Sequence, residues 1–303
     1  MFGAQHLRMA SLLLCTLGVL GAHWAHAARL IQDDRGFEFL LSTPAKRIVS
    51  LYPSLTEGVC LLNACDRLVG VDRSSNWPEW VQSVPHLGGL WDTSLEDLVR
   101  LKPDVVIMSA SNAKLTAKLE RLGITVLVFQ PQSWAQMTGS LRELAKLVEP
   151  FDSEGRAQDP AQKLIDRMQE DLSHLSSQMP AWARGKRIYL QVGSGGYVAS
   201  ESSYLGQLLT SLSLVNVVPK GLGEFPKMGR EWLLRQSPDI IVMTHEQDKP
   251  LKKTPGLRAL KAVIEDRVCM LSQEESDRLL RLGPRVVWGM RAVVECINKM
   301  RPL

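Results

Sequence analysis

After residue 27 the sequence lacks several features that would place it in a common class of proteins. No uninterrupted apolar run there reaches about 18 residues, so no transmembrane helix is predicted. The lysines and arginines are scattered, and no basic stripe with interleaved aromatic residues appears. Nucleic acid is therefore not an expected partner.

Motifs for metal or nucleophilic chemistry are also scarce. The three histidines after residue 27, His86, His174 and His245, are widely separated, and neither HExxH nor Cys-x-x-Cys occurs. The glycines at 193–196 lack the Gly-Lys-Ser/Thr ending of a phosphate-binding loop, and no Gly-x-Ser-x-Gly elbow is present. The sequence therefore predicts no metal site and no enzymatic activity, with an exported enzyme as a remote alternative.

The first 27 residues predict a secretory signal peptide. Arg8 precedes the apolar run Met9 to Leu20, and Ala25-His26-Ala27 offers small residues at a cleavage site. Lipidation at Cys15 is the alternative, although Leu12-Leu13-Leu14 before it lacks the expected small residues. Arg8 is the one charged residue in this segment, so its removal lowers the net charge from +4 to +3. We expect an exported protein.

One segment of the sequence occurs twice. Residues 96–108 read Glu-Asp-Leu-Val-Arg-Leu-Lys-Pro-Asp-Val-Val-Ile-Met, and residues 231–243 read Glu-Trp-Leu-Leu-Arg-Gln-Ser-Pro-Asp-Ile-Ile-Val-Met. Each copy predicts a short helix, a Pro-Asp turn and a buried strand. Two copies are too few for a solenoid. The repeat instead favours two similar lobes with a cleft between them, where small ligands usually bind.

Strands alternate with helices along both halves of the chain. After a hairpin over 29–46, strands are expected near 47–51, 68–71, 104–108, 125–129, 187–192, 215–218, 240–244 and 267–271. This alternation predicts mainly parallel sheets covered on both faces. Residues 159–179 have apolar side chains at helical spacing. The predicted fold is therefore α/β, with two three-layer lobes (28–157 and 183–303) joined by one long rigid helix (158–182).

Four cysteines follow residue 27. Cys60 and Cys65 lie close together at a predicted helix end, and Cys269 and Cys296 form the other plausible pair. An exported protein can form disulfides. The alternative is that one or both pairs stay reduced as small buried side chains.

Three motifs resemble those of periplasmic binding proteins of the cobalamin and ferric-siderophore class. They are RIVSL…PSLTE over 47–57, LVGVD over 68–72 and GGLWDTSLE…LKPD over 88–104. The resemblance implies a class III receptor, similar to vitamin B12-binding proteins, with a rigid helix between its lobes. It also implies a monomer that serves the permease dimer and ATPase of an ABC importer.

In that family a glutamate on each lobe docks to arginines of the permease. The matching residues are Glu96 and Glu231, which occupy the same position in the two copies of the repeat. Helix capping is the alternative for Glu96, because Thr93-Ser94-Leu95-Glu96 fits a capping box. No serine or threonine stands at the cap position before Glu231.

The ligand site is expected in loops that follow the strands of both lobes. The candidates are aromatic or cationic residues of loop-like segments: Tyr52, Arg73, Trp77, Trp91, Tyr197, Phe225 and Arg281. Each large aromatic side chain can bury about 150–250 Å² of surface against a ligand. For Trp77, the alternative is that it packs its loop onto its own lobe.

The resemblance favours a corrinoid as the transported ligand. Trp91 matches a tryptophan of cobalamin binders, where haem binders place a coordinating tyrosine, and an indole cannot coordinate iron. Two departures count against this assignment, because relatives carry tryptophan where this chain has Ser109-Ala110-Ser111 and Glu224-Phe225-Pro226. An anionic ferric siderophore is the alternative and would favour converging arginines such as Arg73, Arg278 and Arg281. No resident cofactor is expected.

Overall fold

The computed structural model describes residues 28–149, 160–193, 195–244 and 251–300. The predicted signal peptide and Cys15 lie outside these ranges, as does the predicted boundary between the first lobe and the connecting helix. Across the described ranges, no helix is both long enough and apolar enough to cross a membrane.

The described chain begins with an antiparallel hairpin of β1 (Arg29–Gln32) and β2 (Glu38–Leu41). Its turn uses Gly36 at φ +78°, a conformation that glycine adopts without a steric penalty. The buried Asp33 carboxylate accepts the backbone N–H of Phe37 at 3.0 Å and that of Val128 at 3.0 Å. The second of these bonds ties the hairpin to the sheet of the first lobe.

The first lobe contains four parallel strands in the order β4-β3-β5-β6. Its elements, in chain order, are β3 (Ile48–Ser50), α1 (Pro53–Leu61), β4 (Leu68–Val71), α2 (Leu95–Arg100), β5 (Val105–Met108), α3 (Ala113–Arg121), β6 (Val126–Val128) and α4 (Trp134–Val148). The central strands β3 and β5 are buried along their whole length, and β5 accordingly reads as an uninterrupted apolar run.

The second lobe repeats this topology. After α5 (Pro160–Gln178) its elements are β7 (Arg187–Gln191), α6 (Tyr204–Ser211), β8 (Val215–Asn216), α7 (Arg230–Gln236), β9 (Ile240–Met243), α8 (Lys261–Ile264), β10 (Val268–Met270), α9 (Gln273–Leu280) and α10 (Val286–Lys299). The parallel order β8-β7-β9-β10 corresponds strand for strand to that of the first lobe. The predicted α/β fold of two similar lobes is confirmed.

Helix α5 is part of the hydrophobic core. It packs against α4 of the first lobe and α10 of the second. Its buried residues Ile165, Met168 and Leu175 belong to one apolar cluster that continues into both lobes. The two lobes are thus joined by packing as well as by the chain, which opposes large rotations of one against the other.

Both predicted cysteine pairs are disulfide-bonded in the structure. Cys60, near the end of α1, is bonded to Cys65, and Cys269 in β10 is bonded to Cys296 in α10. The second bond joins the edge strand of the second sheet to the helix that covers it.

Candidate functional site

Most of the candidate ligand residues lie beyond the carboxyl ends of β3, β4 and β7. In the first lobe, Tyr52 follows β3 and the segment from Arg73 to Trp91 follows β4. In the second lobe, Tyr197 follows β7. Carboxyl ends of parallel strands share one edge of a sheet, and this edge is where α/β proteins usually bind ligands.

Among the described residues, Trp91 is the most exposed of the large apolar side chains, with 77% of its surface accessible. The loop that carries it is nevertheless well fixed. The side chain of Asn112 donates to the Leu90 carbonyl at 2.6 Å. Gly88 has φ +101°, and a Cβ there would lie 2.5 Å from the Asp92 carbonyl oxygen. The hydrogen bond and the tight glycine turn therefore hold the loop in one conformation, and the Trp91 indole is exposed to solvent.

Arg73 belongs to the same loop structure. Its guanidinium is paired with the Asp92 carboxylate, which also accepts the Gly89 N–H at 2.6 Å. The hydrogen bond from Arg73 is the main reason that the pKa of Asp92 is lowered. Both side chains remain largely exposed, so this pair stands beside the indole at the surface.

Tyr197 is the exposed aromatic candidate of the second lobe, with 47% of its surface accessible. Its backbone pairs with Lys227, and its carbonyl accepts the Val192 N–H at 2.9 Å. Gly196 before it has φ +84°, and a Cβ there would lie 2.9 Å from the Met228 carbonyl oxygen. The glycine segment thus allows a close backbone crossing, as expected for a loop that lines a cleft. No ring contact in the described residues joins Tyr197 to Trp91.

Tyr52 and Phe225 are more buried than Trp91 and Tyr197. The Phe225 ring meets that of Tyr204 edge-on, with 6.0 Å between centroids. Tyr204, which the sequence analysis missed, donates its hydroxyl to the Leu280 carbonyl at 2.6 Å. Burial raises the pKa of Tyr52, and the nearby Asp72 carboxylate adds to that shift. Tyr52 and Phe225 pack against the shared core and have less surface to offer a ligand.

Trp77 contacts the opposite lobe. Its ring meets that of Trp288 on α10 at 5.6 Å between centroids, and the Arg285 guanidinium lies 4.5 Å from its centroid. The alternative that Trp77 merely packs its loop onto its own lobe is therefore wrong. A cation over an indole face is an attractive arrangement that contributes to the contact between the lobes.

Arg281 lies in an inter-lobe network centred on Glu57. The Glu57 Oε1 atom on α1 accepts from Arg281 at 2.8 Å and from Arg285 at 2.9 Å. Arg281 also donates to Asp277 and to the Asn76 side chain, each at 2.8 Å. Most of its donor groups are thus occupied within the protein, and its assignment to the ligand site stays a prediction.

Glu57 is a residue whose importance the sequence analysis missed. Its side chain is 1% exposed, and burial raises the pKa of its carboxyl while the two guanidinium groups oppose that shift. A buried carboxylate that lost both cationic partners would be strongly destabilising. The network therefore favours one relative position of the two lobes.

The indole of Trp91 also borders a pocket of about 460 Å³. The pocket lies between the Trp91 loop and the beginning of α3, and it is lined by Trp91, Thr93, Leu95, Ser111, Asn112, Ala113, Lys114, Leu115 and Lys118. In the part of the chain that the structure describes, no three His, Cys, Asp or Glu side chains cluster as a metal site would require.

Glu96 and Glu231 both occupy the first turn of a short helix, α2 and α7 respectively. The predicted capping box from Thr93 to Glu96 is wrong, because Ser94 is the cap and its hydroxyl accepts from the Asp97 N–H at 3.3 Å. The Glu96 side chain is 85% exposed and pairs with Arg100 at 2.8 Å. Neither glutamate is needed to cap its helix, so both are available to a partner.

Residues 48–275 match the model of a protein family that is described as periplasmic binding protein. The chain is 26% identical to the uncharacterized ABC transporter substrate-binding lipoprotein YvrC of Bacillus subtilis (strain 168), over 88% of this chain and 84% of that protein. It is 24% identical to the vitamin B12-binding protein of Vibrio campbellii (strain ATCC BAA-1116), over 71% of this chain and 75% of that protein.

Solved structures agree with the two-lobed fold. The crystal structure of a possible iron-binding (periplasmic solute-binding) protein from Staphylococcus epidermidis ATCC 12228 aligns with a TM-score of 0.71 at 22% identity. The alignment covers 84% of this chain and 99% of that one. A structural similarity at this level of sequence identity supports the fold but does not identify the ligand.

Proposed function

The chain belongs to the periplasmic binding protein family, and on that premise we propose that it captures a metal chelate, preferentially a corrinoid, and delivers it to an ABC importer. The action is binding without making or breaking covalent bonds. The proposed location is the periplasm, where such a receptor meets both its ligand and the outer face of the permease.

The observation that carries this proposal is the exposed indole of Trp91 on a fixed loop. An exposed tryptophan loses apolar contact with water when a flat ligand covers it, and the covered area contributes roughly 25 cal/mol per Å². A loop that is already ordered adds little entropic cost to binding. The Vibrio campbellii relative is named a vitamin B12-binding protein, which supports a corrinoid as the first ligand to test.

The second lobe would complete the site through Tyr197. Its ring is half exposed and follows a glycine segment that allows a ligand to approach the backbone closely. Tyr52 and Phe225 would lie deeper and shape the floor of the site. Because α5 and the Glu57 network join the lobes, we expect ligand binding to occur with small changes in their relative position.

Glu96 and Glu231 are proposed to dock the loaded receptor to the permease. Both carboxylates are exposed in the first turns of equivalent helices, where helix dipoles favour negative charge. Arginines on a permease surface would find two carboxylates at fixed positions, one on each lobe. Such paired charges give orientation and a faster encounter.

A ligand titration tests the proposed function. The mature chain (residues 28–303) is titrated with cyanocobalamin, and tryptophan fluorescence is corrected for absorption by the ligand. We expect saturable quenching at sub-micromolar ligand, and roughly tenfold weaker binding for Trp91→Ala, since a central tryptophan often dominates an interface. The matched control is Trp80→Ala, because Trp80 is 47% exposed in a neighbouring loop. Equal affinities of wild type and Trp91→Ala would remove Trp91 from the site.

A further inference from the structure

The pocket beside Trp91 carries two lysines on one face of a helix. Lys114 and Lys118 are four residues apart on α3, so their side chains project from the same side and both line the pocket. Both residues are exposed. Two like charges at this spacing repel each other, and an anion placed between them would relieve that repulsion.

Neither lysine is neutralised by the protein. Within the described ranges, no carboxylate forms an ion pair with Lys114 or Lys118. The nearby acidic residue on α3, Glu120, is paired with Arg35 at 2.8 Å. The pocket therefore has a positive charge that is available to a ligand.

The arginines that were predicted to suit an anionic ligand, unlike the two lysines, are all paired with carboxylates of the protein. Arg73 is paired with Asp92, Arg278 with Glu274, and Arg281 with both Glu57 and Asp277. Each of these cations already has a carboxylate partner, so binding an external anion would require competition with that partner. The uncompensated charge of this region lies on the two lysines.

We propose that Lys114 and Lys118 bind an anionic oxygen group of the transported chelate, a carboxylate or a phosphate, while Trp91 covers its adjacent flat surface. Lysine supplies a compact charge with three N–H donors, which suits oxygen anions of varied geometry. The pocket volume of about 460 Å³ accommodates such a group together with part of the chelate. This inference rests on the proposed function, and it further specifies that the transported chelate has an anionic oxygen group.

Two sources of the anionic group can be distinguished by the choice of probe. Cyanocobalamin carries a phosphodiester, ferric citrate carries carboxylates around the metal, and citrate alone carries carboxylates without a chelated metal. Each probe is titrated against wild type, Lys114→Gln/Lys118→Gln and Lys114→Arg/Lys118→Arg by calorimetry at two salt concentrations. Lys163→Gln, an exposed lysine on α5 remote from the pocket in sequence, is the matched control.

We expect the double glutamine variant to bind the preferred probe about tenfold more weakly, with a shallower salt dependence. The double arginine variant and Lys163→Gln should bind as wild type does. Equal affinities of wild type and the double glutamine variant for a probe that requires Trp91 would overturn the inference and leave the proposed function standing. Lysine-dependent binding of citrate without binding of either chelate would support the anion site and count against the proposed function. Binding of no probe would overturn both.

Discussion

The two copies of the repeated segment share one turn geometry and differ at the start of their helices. In the first copy, Asp104 Oδ2 accepts the backbone N–H of Lys46 at 2.8 Å and of Arg47 at 2.9 Å. In the second, Asp239 Oδ2 accepts the N–H of Arg187 at 3.0 Å. The Pro-Asp pair thus performs the same task twice, tying the start of one strand to the next.

The helix ends before these turns are also alike. The Arg47 guanidinium donates to the Leu101 carbonyl at 2.6 Å, and that of Arg187 donates to the Gln236 carbonyl at 2.6 Å. The residues before the two prolines have positive φ, +45° at Lys102 and +42° at Ser237. Each arginine satisfies a carbonyl that a helix end leaves without an internal partner.

The helix starts differ in both their caps and their glutamates. Ser94 caps α2 with its hydroxyl, whereas Gly229 before α7 has no side chain to do so. Glu96 is paired with Arg100, while no residue in the described ranges forms an ion pair with Glu231. The turn and strand of each copy are thus held by the same backbone hydrogen bonds. The helix start has a glutamate in both copies, although its cap and the ion pair of the glutamate differ.

The largest expected effect comes from removing both glutamates. Glu96→Ala/Glu231→Ala should reduce uptake in cells at least about tenfold while ligand affinity stays at the wild-type value, because the two carboxylates are proposed to dock the receptor to the permease. Between the single variants, Glu231→Ala should cost more, since Arg100 already offsets part of the charge of Glu96. Uptake is measured with labelled ligand, and Glu170→Ala on α5 is the control. Loss of ligand affinity in the double variant would show that the docking assignment is wrong.

A smaller effect is expected from the two turn aspartates. Asp104→Ala and Asp239→Ala should each lower the free energy of unfolding by about 1–2 kcal/mol, because backbone N–H groups lose a charged acceptor. The asparagine variants should lose less, and Asp239→Asn should lose more than Asp104→Asn because Lys261 donates to Asp239 at 2.7 Å. Urea unfolding measures these differences. Wild-type stability of both alanine variants would refute the shared role of the turn.

The turn at Asp239 also predicts a pH dependence. Partial burial alone would raise the pKa of Asp239, but hydrogen bonds from Lys261 and from the Arg187 backbone lower it overall from its ordinary value of 3.8. Its contribution to stability is therefore present above that ordinary value and is lost as the pH falls through the lowered pKa. The difference in the free energy of unfolding between wild type and Asp239→Ala should therefore decrease as the pH falls from the ordinary pKa of aspartate through the lowered pKa of Asp239.

The smallest effect is expected at the helix caps. Ser94→Ala should destabilise the protein by about 1 kcal/mol, whereas Gly229→Ser should stabilise it by about 0.3 kcal/mol because it supplies the missing cap. Gly229 has φ −82°, so a serine meets no backbone penalty there. Thermal unfolding of the two variants measures the expected loss of stability in Ser94→Ala and the expected gain in Gly229→Ser. Destabilisation by Gly229→Ser would show that α7 cannot use a side-chain cap.

Much of the fold could be predicted because its signals are local. The repeated Pro-Asp turns, the apolar runs of β5 and β9 and the amphipathic spacing of α5 each lie within one short segment. The sequence analysis gave no bounds for helices α6 and α9, although Ser203 and Ser272 cap them and Ser272 forms a capping box with Glu275. The capping serines are visible in the sequence, but the helices that follow them are too short to show a sustained apolar spacing that would predict a helix.

The candidate site was predicted less completely, because its contacts join distant parts of the chain. Trp91 is largely exposed and Tyr197 is half exposed, and their roles in ligand binding stay predictions. Trp77 and Arg281 instead have partners in the opposite lobe, and the lysines of the Trp91 pocket were not singled out at all. Burial and pairing decide which side chains a ligand can reach, and neither is encoded by residue type alone.

By itself the sequence determined the class of the fold, the duplication of its lobes and the presence of a long helix between them. These properties follow from periodicity and from turn residues, which act over a few positions. The tertiary structure alone decided that Glu57 meets Arg281 and Arg285, residues more than 220 positions away, and that Lys114 and Lys118 line the same pocket as Trp91. Such juxtapositions depend on how the sheets, helices and loops pack together, and no local pattern specifies that packing.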